Sequence, residues 1–167
     1  MHKLNSRPTI AAVGTIIATM LAPVPSAHAA PGEKGHAHAS FAAGEPGNPK
    51  RPARQVIVTL KETEDGKMLY SPDRIQVKRG EQIRFVLKNV GALEHEFILD
   101  SIENNAKHKI EMQKNPDMEH DDPNGKRLAS GKSTEMLWRF SKVGEFEFGC
   151  LIPGHHESGM KGTVVVK

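Results

Sequence analysis

From residue 55 to the end, the chain alternates apolar and polar residues in short runs separated by turn residues. Such alternation puts every second side chain on one face of an extended strand. Runs of four to eight residues between Gly, Pro, Asn and Asp clusters therefore predict strands. Segments 55–60, 74–77, 82–89, 132–140, 145–150 and 160–166 fit, with a brief pairing segment at 68–70 and a strand running on from His95. Ile83, Phe85 and Leu87 share one face of their strand. So do Thr134, Met136, Trp138 and Phe140, and so do Phe146, Phe148 and Cys150. Phe97 and Leu99 continue beside His95 in the same period. The pattern breaks between Asp100 and Gly131. There Ser101 can cap a helix with Ile102, Ala106 and Ile110 at i, i+4 and i+8, and Asn115-Pro116 ends it before an acidic loop at 117–124. Several turn-separated strands around one short helical insertion predict an all-β sandwich.

Residues 1–54 do not share this pattern. Lys3 and Arg7, the apolar run 10–22 and the small residues Ala27-His28-Ala29 match a secretory signal over 1–29. Cleavage there leaves 138 residues (167 − 29), suited to one domain at 55–167 with no membrane attachment. Lys3 and Arg7 carry two of the three formal positive charges, since no acid precedes Glu33; the mature chain is near +1, with no clustered basic stripe. That balance argues against a nucleic-acid partner. Residues 30–54, rich in Gly, Pro, Ala and charge, are expected to form a flexible tail. His36 and His38 lie in it, either as part of a solvated linker or as possible metal-capture residues.

The chemistry gathers near the C-terminus, in Cys150-Leu151-Ile152-Pro153-Gly154-His155-His156-Glu157-Ser158-Gly159-Met160. Cys150 ends one predicted strand and Met160 opens the next, and Pro153-Gly154 and Gly159 let the loop between them bend. A thiolate, an imidazole and a thioether can therefore converge from one short loop anchored on a sheet. His95, in Glu94-His95-Glu96-Phe97, offers a second imidazole. Two His, one Cys and a weak axial Met form the ligand set of blue-copper electron-transfer sites. Structural zinc prefers four N or S ligands without thioether. The single cysteine of an exported chain has no internal disulfide partner, and metal ligation protects it. No internal repeat, phosphate-cradling glycine loop or Ser/His/Asp constellation is present.

The order His95, Cys150, His155, Met160 and closing strand resembles the cupredoxins, the plastocyanin and azurin family, over residues 55–167. The resemblance implies a Greek-key β-sandwich, one type 1 copper per chain and one-electron transfer. It also implies that His155 lies nearest the surface, inside an apolar collar of Leu151, Ile152, Pro153, Ala92 and Leu93. His155 is preferred to the adjacent His156 because the family's ligand often follows a glycine. Glu94, Glu96 and Glu157 place carboxylates near the metal. The expected protein is a monomeric electron carrier or copper-binding protein of the periplasm, meeting a redox partner protein through a small, weak interface. It also resembles the periplasmic cupredoxins of copper tolerance. Copper nitrite reductases and multicopper oxidases need more copper sites than one Cys provides; a sequestering protein without electron transfer is the other alternative. His108 and Met112, at i and i+4, with Met118 and His120 beyond Pro116, are candidates for an accessory Cu(I)-capture surface. Met as a gap-filler competes with that reading.

Overall fold

The computed structural model describes residues 41–116, 118 and 122–167. The expected signal at 1–29, together with His36, His38 and His120, lies outside the described residues. The elements in order are β1 (Glu45–Pro46), β2 (Arg54–Glu62), β3 (Met68–Ser71), β4 (Arg74–Val77), β5 (Gln82–Asn89), β6 (His95–Asp100), α1 (Ile102–Lys114), β7 (Gly125–Leu128), β8 (Ser133–Arg139), β9 (Gly144–Gly149) and β10 (Lys161–Val166). Among the described residues no helix is long and apolar enough to cross a membrane.

Two five-stranded sheets form a β-sandwich, ordered β1-β8-β5-β2-β3 and β4-β10-β9-β6-β7. The chain passes from one sheet to the other at β4, β5, β6, β8 and β9, as a Greek-key sandwich requires. The pairs β2 with β5 and β4 with β10 are parallel, and the rest are antiparallel. Alternation along the strands sends Ile83, Phe85, Leu87, Met136 and Trp138 inward from one sheet, and Phe97, Leu99, Phe146 and Phe148 from the other. Phe97 stacks on Phe148 at 5.0 Å and meets Phe85 across the core at 5.3 Å. These pairs fix the ends of β6 and β9, the strands that carry His95 and lead into Cys150.

Two expectations need correction. The tail expected at 30–54 is not loose from Phe41 onward. Phe41 packs edge-on against Trp138 at 5.2 Å, Ala43 is buried, and β1 pairs with β8. The Gln82 side chain accepts from the Asn48 N–H and donates to the Asn48 and Arg51 carbonyls. This short segment covers the open edge of β8 and one side of the tryptophan, so its few apolar groups suffice to order it.

The helix begins and ends as the sequence predicts. Ser101 accepts from the Asn104 N–H, and Asn115 is the C-cap. Its inward face, however, is not Ile102, Ala106 and Ile110: Ile102 is 58% exposed and Ile110 51%. Asn105 and Met112 face the sheet instead. Asn105 Nδ2 reaches Glu147 Oε1 at 3.2 Å, with longer contacts to the Ile98 and Glu147 carbonyls. Where a helix lies over sheet backbone and a carboxylate, a donor serves better than a methyl group. Met112 packs with Ile98 and Leu151, and the partly buried Met118 joins them. Met112 thus fills space beneath the helix, Met118 is partly buried against the same cluster, and His108 is half-buried. Met112→Ala should cost about 2–5 kcal/mol of metal-free stability, read from the denaturant midpoint. A loss below about 0.5 kcal/mol would place Met112 at the surface.

Candidate metal centre

The site sits at one end of the sandwich, where β6 begins, β9 runs out and β10 starts. Cys150 follows β9 directly and is fully buried, as is Met160 just before β10. The strand pair holds the loop between them closed: the Cys150 N–H donates to the Met160 carbonyl and the Met160 N–H to the His155 carbonyl, both at 3.1 Å. Gly154, at φ +88°, takes the left-handed turn that precedes His155.

Three of the four expected donors meet. The donor atoms of His95, Cys150 and His155 all lie within 4.8 Å of one another, the only such group of His, Cys, Asp or Glu among the described residues. His95 Nδ1 is 3.2 Å from His155 Nδ1, and Cys150 Sγ is 3.3 Å from His155 Nδ1. Met160, the fourth, is buried at the root of the loop. His156 turns away from the cluster, with its Nε2 3.3 Å from Glu147 Oε1. The two adjacent histidines are thereby told apart by partner.

Protonation prepares the cluster for a cation. His95 Nε2 lies 2.7 Å from Glu62 Oε1. A carboxylate only accepts, so Nε2 carries a proton, and in the neutral ring Nδ1 keeps the lone pair that faces the cluster. Burial, then neighbouring His95, depress the His155 pKa, while Glu62 opposes; His155 is neutral at pH 7. Burial pushes the Cys150 thiol up to about 12, against the Glu96 N–H that donates to Sγ at 3.3 Å. Without a metal the sulfur keeps its proton; a bound cation takes that proton's place, which a coordinated thiolate requires. Two imidazoles and a buried thiol, converging from two strands and one loop, fit a soft or borderline metal such as copper.

Sequence reading did not find the burial of Glu96. Period two turns it away from the sandwich core, to the outer side of the sheet, where Ile98 packs with Leu151 and Met112. Neither carboxylate oxygen has a hydrogen bond of normal geometry, and Arg127 Nη1 is 3.8 Å from Oε1. Burial pushes its pKa up to about 7, against the pull of Arg127 and the Leu151 N–H. In the metal-free protein the folded state therefore holds this proton at pH values where the unfolded chain has released it. The stability so gained is full below the ordinary Glu range and is lost as pH rises through about 7. The loss is on the order of 3 kcal/mol. Glu96→Gln should remove it, so denaturant midpoints at pH 5 and pH 8 should differ less in the variant than in the parent. Equal differences would contradict the assignment.

The apolar collar is also composed differently. Leu151 is fully buried and packs with Met112 and Ile98 outside the sandwich core. Of the expected members Ala92, Leu93 and Pro153 are exposed and Ile152 is half-buried, and Val90 nearby in sequence is exposed as well.

Known proteins resemble this chain over most of its length. The family model for copper binding proteins of the plastocyanin/azurin family matches residues 57–167. The chain is 42% identical over 163 residues to a copper-resistant cuproprotein CopI of Rubrivivax gelatinosus, covering 96% of each. It is 36% identical over 153 residues to a protein of the same name from Pseudomonas aeruginosa, covering 74% of this chain and 82% of that one. Reduced auracyanin of Roseiflexus castenholzii superposes with a TM-score of 0.58 at 22% identity, over 70% of this chain and 99% of that one, a likeness of fold.

Proposed function

Because the chain belongs to the plastocyanin/azurin family of copper-binding proteins, we propose that it is an exported, mononuclear type 1 copper protein serving copper tolerance in the periplasm. The observation that carries this reading is the cluster of His95, Cys150 and His155, whose donor atoms all lie within 4.8 Å of one another. Two relatives with 42% and 36% identity bear a copper-resistance name, which favours tolerance over carriage of electrons alone.

His95 and His155 would hold the ion through their Nδ1 atoms and Cys150 through its thiolate, and Met160, buried at the root of the loop, would offer its thioether. A copper ion held there would supply one-electron redox chemistry. The chain's part is to keep the donors in place through that change. His95 is anchored on β6, Cys150 and Met160 are tied to each other by the strand pair, and the Glu96 N–H steadies the sulfur. Sites with fixed ligands reorganise little on electron transfer, and hydrogen bonding around the sulfur sets their potential. His155 is half-buried, and Val90, Ala92 and Leu93 on the segment before His95, with Pro153 on the loop before His155, are exposed. Such exposed apolar residues suit a small, weak interface with a redox partner protein, approached by a monomer.

The test is growth. A strain lacking this chain should regain copper tolerance when the parent is restored and fail to regain it with Cys150→Ser. Equal rescue by both would remove the metal site from the function.

A further inference from the structure

The strand pattern does not require a carboxylate at position 62, yet three donors converge on this one. Glu62 closes β2, and its side chain is 21% exposed. It accepts from the Ala92 N–H at 2.8 Å, from the Leu93 N–H at 3.0 Å, and from His95 Nε2 at 2.7 Å. Burial raises its pKa, but these hydrogen bonds outweigh burial and hold the group below the usual carboxylate range. The loop is shaped to admit it: a Cβ on Gly91 would collide with both carboxylate oxygens. From the other side, Asn89 accepts from the Gly91 N–H and donates to the Leu93 and Leu128 carbonyls. The segment between β5 and β6 is thus stapled twice, and one staple ends on the imidazole.

We propose that Glu62 is the positioning residue of His95, holding its Nε2–H tautomer, aiming Nδ1 at the metal, and strengthening the imidazole as a donor so that the site favours Cu(II) over Cu(I). The inference rests on the copper reading above. A carboxylate that accepts an imidazole N–H draws the ring toward imidazolate and makes the opposite nitrogen more basic. A more basic nitrogen, with a negative charge behind it, stabilises the more highly charged ion. The effect is to hold the potential down.

Glu62→Gln keeps the shape and an accepting oxygen but removes the charge. Cu(II) affinity, measured by competition with a chelator, should fall about 10–100-fold. Cu(I) affinity should fall much less, and the reduction potential should rise. Gly91→Ala, which displaces the carboxylate without neutralising it, should shift the potential the same way; it also serves if Glu62→Gln does not fold. Glu64→Gln, an exposed carboxylate two residues on, should leave the potential unchanged. The proposal is overturned if Glu62→Gln keeps the parent's Cu(II)-to-Cu(I) affinity ratio, including the case where it only lowers the melting temperature of the metal-free protein. It is also overturned if Glu64→Gln shifts the potential as far, since that is a general charge effect. A parent without a thiolate-to-copper band takes down the copper reading and this inference together; a parent with the band and an unchanged ratio in Glu62→Gln takes down this inference alone.

Discussion

Cys150→Ser should abolish the intense visible absorption of the Cu(II)-loaded protein. That band requires a sulfur-to-copper charge transfer, and Cys150 is the only cysteine of the chain. The variant is nearly isosteric, and the site's remaining hydrogen bonds do not depend on sulfur: Cys150 N–H to Met160, and His95 to Glu62. The fold should survive, so the loss reads on the metal and not on stability. Cu(II) affinity should fall by more than the roughly 10–100-fold that loss of an outer-shell partner costs, because a direct ligand is gone. A variant that keeps the band at parent intensity would place the thiolate outside the metal site.

His155→Ala should remove the strong band or shift it greatly, with copper weakly held, whereas His156→Ala should leave spectrum and stoichiometry as in the parent. The two rings are neighbours in sequence, but only His155 faces His95 and Cys150, at 3.2 Å and 3.3 Å from its Nδ1. His156 stands against Glu147, on the strand that also meets Asn105 of the helix. Its removal should cost stability on the order of 1 kcal/mol, for a partly buried hydrogen bond, and nothing at the metal. Colour lost in His156→Ala and kept in His155→Ala would reverse the assignment.

What could be read from the sequence follows from its periods. Strand β5 runs from Gln82 to Asn89, as its alternation and flanking turns indicate, and Ile83, Phe85 and Leu87 are all fully buried. The C-x4-H-x4-M spacing was legible because a loop between two adjacent strands brings its ends together whatever the rest of the chain does. His95 was legible only through that loop, since a single histidine at a strand start has no signature of its own. The helix face was misread for a physical reason. An apolar stripe signals burial against an apolar surface, but α1 lies against backbone carbonyls and Glu147, where Asn105 is the better partner. The roles of Glu62 and Glu96 were not legible at all. Both arise where segments distant in sequence, β2 against the 90–94 loop and β6 against Leu151, enclose a carboxylate. No local pattern records such an enclosure.

The most direct test of the central claim is a titration of the metal-free protein with Cu(II), followed by visible absorption. The account predicts an intense thiolate-to-copper band that grows linearly and saturates at one equivalent per chain. Copper bound without that band, or a band that saturates only well beyond one equivalent, would contradict a mononuclear site built on His95, Cys150 and His155.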